Sequence, residues 1–425
     1  MTTGHDQGPH APGRAAGILF QLRILVLAAF VLATLGAGWL LFAHPVAVPV
    51  SLMAMVAGGG VIAAAGAYLC LRHAGLALIV TFVPAAGMVC AAALSTYLQF
   101  PMLDVAQLLT AYVCGFAVAL LIGDEIALRL TQADPAQACE RAFAATTRAA
   151  LLMCAAAALL PLSLASISQN WLMIVPVAIA GGFAVFFAWL ITPLVARLLS
   201  YSENFVTRSN RAHEARERIL ERTSAVVRPR YGTSVAGIAL VFSVLGFFGA
   251  DVNVDAMSSR DFLFAGAIAF GVLVLGFAAA WDWRAALAAS LCMVPVSLCG
   301  LWAMAKLQLS FDDTLWLVFV QALVAALVPL GFAAMHIGHY LRGDDDATIA
   351  AARMLNRNGG ALVLVALIAC AALLGFVLAD KAIIVVCIML LGGGIAAVLF
   401  FPAVMVSLEA LMPRQKSVEA RYRVG

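Results

Sequence analysis

Asp134 to Ser163 reads DPAQACERAFAATTRAALLMCAAAALLPLS, and 212 positions later Asp346 to Gly375 reads DATIAAARMLNRNGGALVLVALIACAALLG. Each stretch opens on an acid, runs through an Ala-rich amphipathic segment with an Arg at the eighth place (Arg141, Arg353), and continues as a long apolar run from near Ala149 and Ala361. A repeat of this period is too long for a solenoid. It reads as two structural halves of one membrane body.

The composition fixes the solvent. With 64% hydrophobic and 11% charged residues in 425 and a mean hydropathy of +1.03, the chain has too few polar groups to cover a water-soluble globule. Apolar runs long enough to cross about 30 Å of hydrocarbon fall near 18–42, 47–71, 75–97, 104–128, 149–167, 171–199, 233–250, 261–281, 285–305, 314–336, 359–379 and 382–411. Because backbone amides must be satisfied inside lipid, these are predicted as helices. The fold class is therefore an all-α polytopic membrane protein with twelve transmembrane helices in two pseudosymmetric six-helix repeats. A barrel would show short alternating segments, which are absent.

Arginine placement tests this count. Arg14 and Arg23 flank the start of span one, Arg72 follows span two, and Arg129, Arg141 and Arg148 lie between spans four and five. Arg208 to Arg230 follow span six, Arg284 follows span eight, Arg342, Arg353 and Arg357 follow span ten, and Arg414, Arg421 and Arg423 close the chain. Every second connection is basic, which predicts both termini in the cytoplasm. The expected organisation is a disordered cytoplasmic tail over 1–16, a first repeat over 17–200, an amphipathic linker helix over 201–231, a second repeat over 232–412 and a cytoplasmic tail over 413–425. The linker reads as a solvated helix on anionic headgroups or as a regulatory partner site.

The order of motifs carries a resemblance. The fourth span ends IGDEIALRL (Ile122 to Leu130), an amphipathic stretch follows, the sixth span ends ITPLVARLL around Pro193, and the second half closes FFPAVMVSLEAL around Pro402. In this order each half resembles the transmembrane domain of the RND superfamily, which includes the MMPL-type lipid exporters. The resemblance implies a fourth helix ending in an acidic signature, an amphipathic cytoplasmic helix, then a fifth and a sixth helix. It also implies large extracytoplasmic porter domains after helices one and seven. Here those connections are only about His44 to Pro49 and Asp251 to Asp261, so a membrane-only version is expected, with a separate periplasmic or membrane partner supplying what is missing.

Ionisable groups inside spans mark candidate sites because each is costly in hydrocarbon. Asp124 and Glu125 sit about one turn before Arg129. At the matching family position an acid serves proton coupling, and Asp124 is the residue assigned that role here. Adjacent residues point about 100° apart on a helix, so at most one faces the bundle axis squarely. The other reading has one or both acids at the interface or paired with Arg129. A shift of 212 from Asp124 lands on His336, which together with His339 completes a proton-relay candidate set or lies at the boundary as ordinary interfacial histidine. Asp104, Gln107, Asp312, Asp313 and Gln321 form an outer-vestibule candidate set, with helix capping as the alternative use.

No metal site is expected from the nine cysteines, which show no CxxC or Cys/His pairing. No cofactor, nucleic-acid or ATP motif is present either, so an enzyme is not expected. The resulting expectation is an RND-like exporter in a bacterial cytoplasmic membrane. It would be driven by protons and move a hydrophobic or amphiphilic molecule, a lipid or lipid-like pigment, among membrane lipids as partners. The competing readings are a non-transporting scaffold of a lipid-synthesis or secretion complex and a major-facilitator-type carrier.

Overall fold

The computed structural model describes residues 12–43, 50–101, 103–130, 134–168, 171–199, 283–309, 313–341 and 346–411, together with 237, 241, 276 and 281. The described residues are helical with short connections, and no strand occurs among them. In chain order the helices are α1 (Pro12–Gln21), α2 (Arg23–Ala43), α3 (Val50–Leu71), α4 (Ala74–Tyr97), α5 (Val105–Arg129), α6 (Pro135–Ser168) and α7 (Trp171–Leu199). They continue as α8 (Trp283–Lys306), α9 (Asp313–Leu341), α10 (Ala347–Leu373), α11 (Ala382–Ile395) and α12 (Phe401–Leu411). A π turn at Ala396–Phe400 joins the last two. It sits just ahead of Pro402, whose missing N–H leaves the Val398 carbonyl without its usual helical donor.

Ten of the described helical segments are long and apolar enough to cross a membrane. They match the expected spans one to six and nine to twelve. The expected spans seven and eight, the linker over 201–231 and the tail over 413–425 lie outside the described residues, apart from the isolated positions above. Two expectations change. Residues 12–16, assigned by sequence to a disordered tail, already belong to α1, where Pro12 fits a first helical position because its absent N–H would have been unpaired there anyway. The amphipathic stretch is also no separate helix. It is continuous with the fifth span in α6, which has 34 residues, about 51 Å at 1.5 Å per residue. That exceeds the hydrocarbon thickness by some 20 Å, so the amphipathic turns extend beyond it at the end of the bundle that carries Arg129, Arg141 and Arg197, the basic end.

Burial orders the helices. In α9, 94% of the membrane window is buried, against 6% in α2 and 17% in α3. The centre is the pair α5 and α9, flanked by α6 and α10, and the outermost helices present leucines, valines and aromatics outward, as lipid contact requires. Packing repeats between the halves. Helix α7 lies on α4, α5 and α6, as α11 lies on α8, α9 and α10. Across the seam α5 meets α9, α9 meets α6, α5 meets α10, and α3 meets α10. Gly276, inside the expected eighth span, lies against Leu152 of α6 and supplies the counterpart of that last contact.

Local details repeat as well. Helices α4 and α8 end in the same Schellman turn: Gln99 and Gln308 adopt left-handed φ of 59° and 52°, with Phe100 N–H bonded to Ser95 O at 2.9 Å and Leu309 N–H to Met304 O at 3.1 Å. At the basic end, Arg197 of α7 donates to Glu140 of α6 at 2.7 Å. In the other half the residue 212 positions on, Glu409, accepts from Ala347 N–H at the start of α10, also at 2.7 Å. Position 347 corresponds to Pro135, which has no N–H to offer. Both halves thus tie the sixth helix to the extension of the fifth, one through an ion pair and one through a charged helix cap. Helix α1 reinforces the first tie: buried Phe20 meets Phe143 edge-on at 6.1 Å and lies 5.0 Å beneath the Arg197 guanidinium.

Close helix crossings depend on small residues. A Cβ at Gly115 of α5 would stand 2.7 Å from Ala184 O of α7, and one at Gly393 of α11 would strike Ala326 of α9, the same helix pair in the other half. Replacing Gly115 by Val is expected to cost about 1–3 kcal/mol through overpacking and to lower the melting temperature in detergent. Gly58→Val, at a position with nothing within 4 Å, leaves the melting temperature nearly unchanged in the same thermal assay.

Candidate functional site: the charged seam between α5 and α9

Asp124 lies five residues before the end of α5, and His336 lies five residues before the end of α9. The two central helices therefore carry ionisable side chains at matching depth, about 8 Å in from the basic end. Asp124 and Glu125 are 3% and 5% exposed, which rules out an excursion of either carboxylate to the surface. Glu125 Oε1 accepts a hydrogen bond from Arg129 Nε at 2.7 Å. The pairing expected as an alternative for Glu125 is therefore present, but inside the bundle.

The seam closes around these acids. Glu125 faces His336, Arg129 and Arg357 electrostatically, and His336 faces Glu125, Asp124, Arg357 and Arg129. Both adjacent acids thus reach the imidazole field of the opposite half, where helical geometry alone allowed only one a square view. His339 is exposed and stacks edge-on near Tyr340 at 5.9 Å.

Sequence reasoning missed two members of this region. Arg357 of α10 read only as a topology charge, yet its positive charge acts on both Glu125 and His336. Beside it in the chain, Asn358 is 2% exposed with an Oδ1 that has no hydrogen-bond partner. The available signal was an Asn immediately before the apolar run of α10, where its amide has to be buried.

Formal charge shows what the arrangement can do. Two carboxylates balance two guanidiniums, so the imidazole is the group whose proton leaves the cluster with net charge. Excess charge buried in low dielectric is costly, and a single proton at this seam therefore alters the energy of the packing between the halves. Among the described residues no group of three or more His, Cys, Asp or Glu is placed to hold a metal ion.

Among the described residues, the outer candidates Asp104, Gln107 and Gln321 serve helix capping and packing. Asp104 is exposed at the N-cap of α5, and its N–H donates to Gln107 Oε1 at 3.1 Å, the helix-capping use. Gln107 and Gln321 are 2% and 1% exposed, so neither lines a solvent-filled mouth. Gln321 is instead an inter-half staple: its Nε2 donates to Val177 O of α7 at 3.1 Å, and its backbone O accepts from Cys114 Sγ of α5 at 3.5 Å. Asp312 and the Asp313 side chain lie outside the described residues.

Comparisons with solved structures locate this architecture. The chain is similar to a crystal structure of SecDF in its super-membrane-facing form, with a TM-score of 0.59 and 13% identity over 88% of this chain and 63% of that one. It is similar to SecDF of Thermus thermophilus, a translocon-associated membrane protein, with a TM-score of 0.59 and 12% identity over 84% and 62%. It is also similar to the hedgehog release protein Disp of the water bear Hypsibius dujardini, with a TM-score of 0.54 and 10% identity over 84% and 70%. The likeness is one of fold: the helical membrane bundle of this chain is arranged like that of SecDF and Disp. The chain spans about three fifths of the length of the SecDF structures. No family model matches the sequence, and no curated protein matches it significantly.

The buried pairing predicts non-additive mutations. Glu125→Gln removes the partner of Arg129 and leaves one carboxylate against two guanidiniums, and is expected to destabilise the folded protein by about 1–3 kcal/mol. Adding Arg129→Gln should restore part of that loss, a coupling of about 1 kcal/mol in a double-mutant cycle read by thermal unfolding in detergent.

Proposed function

We propose that the chain is the membrane domain of a proton-driven exporter, of MMPL-like type, that moves a hydrophobic or amphiphilic molecule such as a lipid or lipid-like pigment. The observation that carries the reading is the meeting of Asp124 and Glu125 with His336, at equal depth on equivalent helices, across the seam where the two halves join. The family resemblance assigns proton coupling to an acid at the Asp124 position, and the buried seam supplies a physical reason for coupling. Protonation changes the net charge of a packed interface, so the favoured arrangement of one half against the other changes with it.

In this reading the basic end faces the cytoplasm of a bacterial inner membrane, following the arginine pattern. The substrate enters laterally from the bilayer, which is consistent with short connections after the first span and with a mobile apolar cargo that needs no aqueous route. A separate periplasmic or membrane partner takes over where porter domains would stand in larger relatives. No catalytic role is proposed.

The test uses purified protein in proteoliposomes with an imposed proton gradient and a fluorescent phospholipid as cargo. Asp124→Asn and His336→Ala are each expected to abolish gradient-driven movement while the yield of folded protein stays unchanged. Full activity of folded Asp124→Asn would remove the proposal.

A further inference from the structure

All nine cysteines are free, and two of them meet on neighbouring helices. Cys370 lies three residues before the end of α10 and Cys387 five residues after the start of α11, so both stand within about 8 Å of the helix ends that face away from the arginines. The Cys370 thiol donates to the Cys387 carbonyl oxygen at 3.4 Å, and the two side chains are also within hydrogen-bond reach of each other. Packing in the repeat does not demand this pair. The positions 212 residues earlier are Ala158 and Val175, on the equivalent helices α6 and α7.

The pair lies at the edge of the bundle. Cys370 is 8% exposed, but Leu367 and Leu374, three before and four after it on the same helix face, are 48% and 64% exposed. Cys387 is itself partly exposed and shares a face of α11 with half-buried Ile384 and Ile388 and exposed Ile395. A reagent therefore reaches these sulfurs through lipid and has to be apolar. The hairpin between them also carries a contact between the halves: a Cβ at Gly59 of α3 would stand 2.8 Å from Ala372 O and 3.1 Å from Phe376 Cε2, and one at Gly66 would stand 2.6 Å from Ile368 Cγ2. Ile368 and Ala372 flank Cys370 on either side.

We propose that Cys370 and Cys387 form a covalent modification site, at which an apolar disulfide reagent drives formation of a reversible disulfide bond between α10 and α11. The more exposed Cys387 sulfur attacks the reagent's disulfide, and its proton leaves with the first reagent thiol. Cys370 then attacks the mixed disulfide at the Cys387 sulfur, and its proton leaves with the second reagent thiol. Two protein thiols are oxidised and one reagent disulfide is reduced, so atoms and electrons balance. Sulfurs already within hydrogen-bond reach need only side-chain rotation to approach about 2.05 Å. The bond closes the outer hairpin into a ring and stiffens the ledge on which α3 rests. This inference does not depend on the transport reading.

The experiment treats the whole chain in lipid nanodiscs with 2,2′-dithiodipyridine, an apolar disulfide, and maps the products by peptide mass spectrometry without reduction after tryptic cleavage at Lys381. The expected product is a peptide pair joined through Cys370 and Cys387, with no pyridyl adduct on either, and dithiothreitol should reverse it. Oxidation is expected to raise the melting temperature by about 3 °C, a rise that Cys370→Ser and Cys370→Ala should both lack. In either variant Cys387 should instead keep a pyridyl adduct, which identifies the sulfur attacked first; the alanine variant keeps this reading available if the serine variant folds poorly. Separate pyridyl adducts on Cys370 and Cys387 of the wild type, unmodified thiols at both after prolonged exposure, or a bond from either to another cysteine would overturn the proposal.

Discussion

Charge is tolerated in hydrocarbon only when other charge and packed protein surround it, and this constraint shapes the centre of the molecule. Asp124 and Glu125 lie far enough into α5 that exposure to lipid is excluded energetically. The structure places α5 against α9 and brings Arg129, His336 and Arg357 around the acids. With the charges gathered at the α5 and α9 seam, the remaining surface is left to apolar side chains. That is why α9 is buried almost throughout and α2 hardly at all.

The two halves show how one architecture is held by different chemistry. Arg197 reaches Glu140 in the first half, and its counterpart Glu409 caps the α10 N-terminus in the second. The exchange follows from one backbone difference, Pro135 against Ala347, because only the alanine leaves an N–H to be satisfied. The central site breaks symmetry in the same way. An acid at position 124 faces a histidine at 336, so the pair carries complementary proton chemistry instead of the mutual repulsion of two acids.

Much of the fold was legible because bilayer thickness imposes span length. Span six, expected over 171–199, is α7 at Trp171–Leu199, and span three, expected over 75–97, is α4 at Ala74–Tyr97. The continuity of α6 was not legible. The change from amphipathic to apolar at Ala149 marks where the helix enters the membrane, and entering lipid does not require a helix to end. Arg357 was hidden by its own explanation, since the positive-inside pattern accounted for its charge and left no reason to place it in the seam. Polarity near a span end left Gln107 and Gln321 open between a mouth and a helix cap, and only the structure shows Gln107 in the capping box of α5 and Gln321 bonded to Val177 O. The turns at Gln99 and Gln308 carry no glycine, so nothing in composition announced a left-handed position.

The account stands on proton exchange between an acid of one half and the imidazole of the other. Infrared difference spectroscopy between neutral and acidic pH, on protein in lipid, observes that exchange directly through the carboxylic acid C=O stretch. The predicted result is a protonated-carboxyl band that Asp124→Asn removes and His336→Ala displaces to a different pH of appearance. A band unaffected by His336→Ala, or present at full strength in Asp124→Asn, would contradict the account.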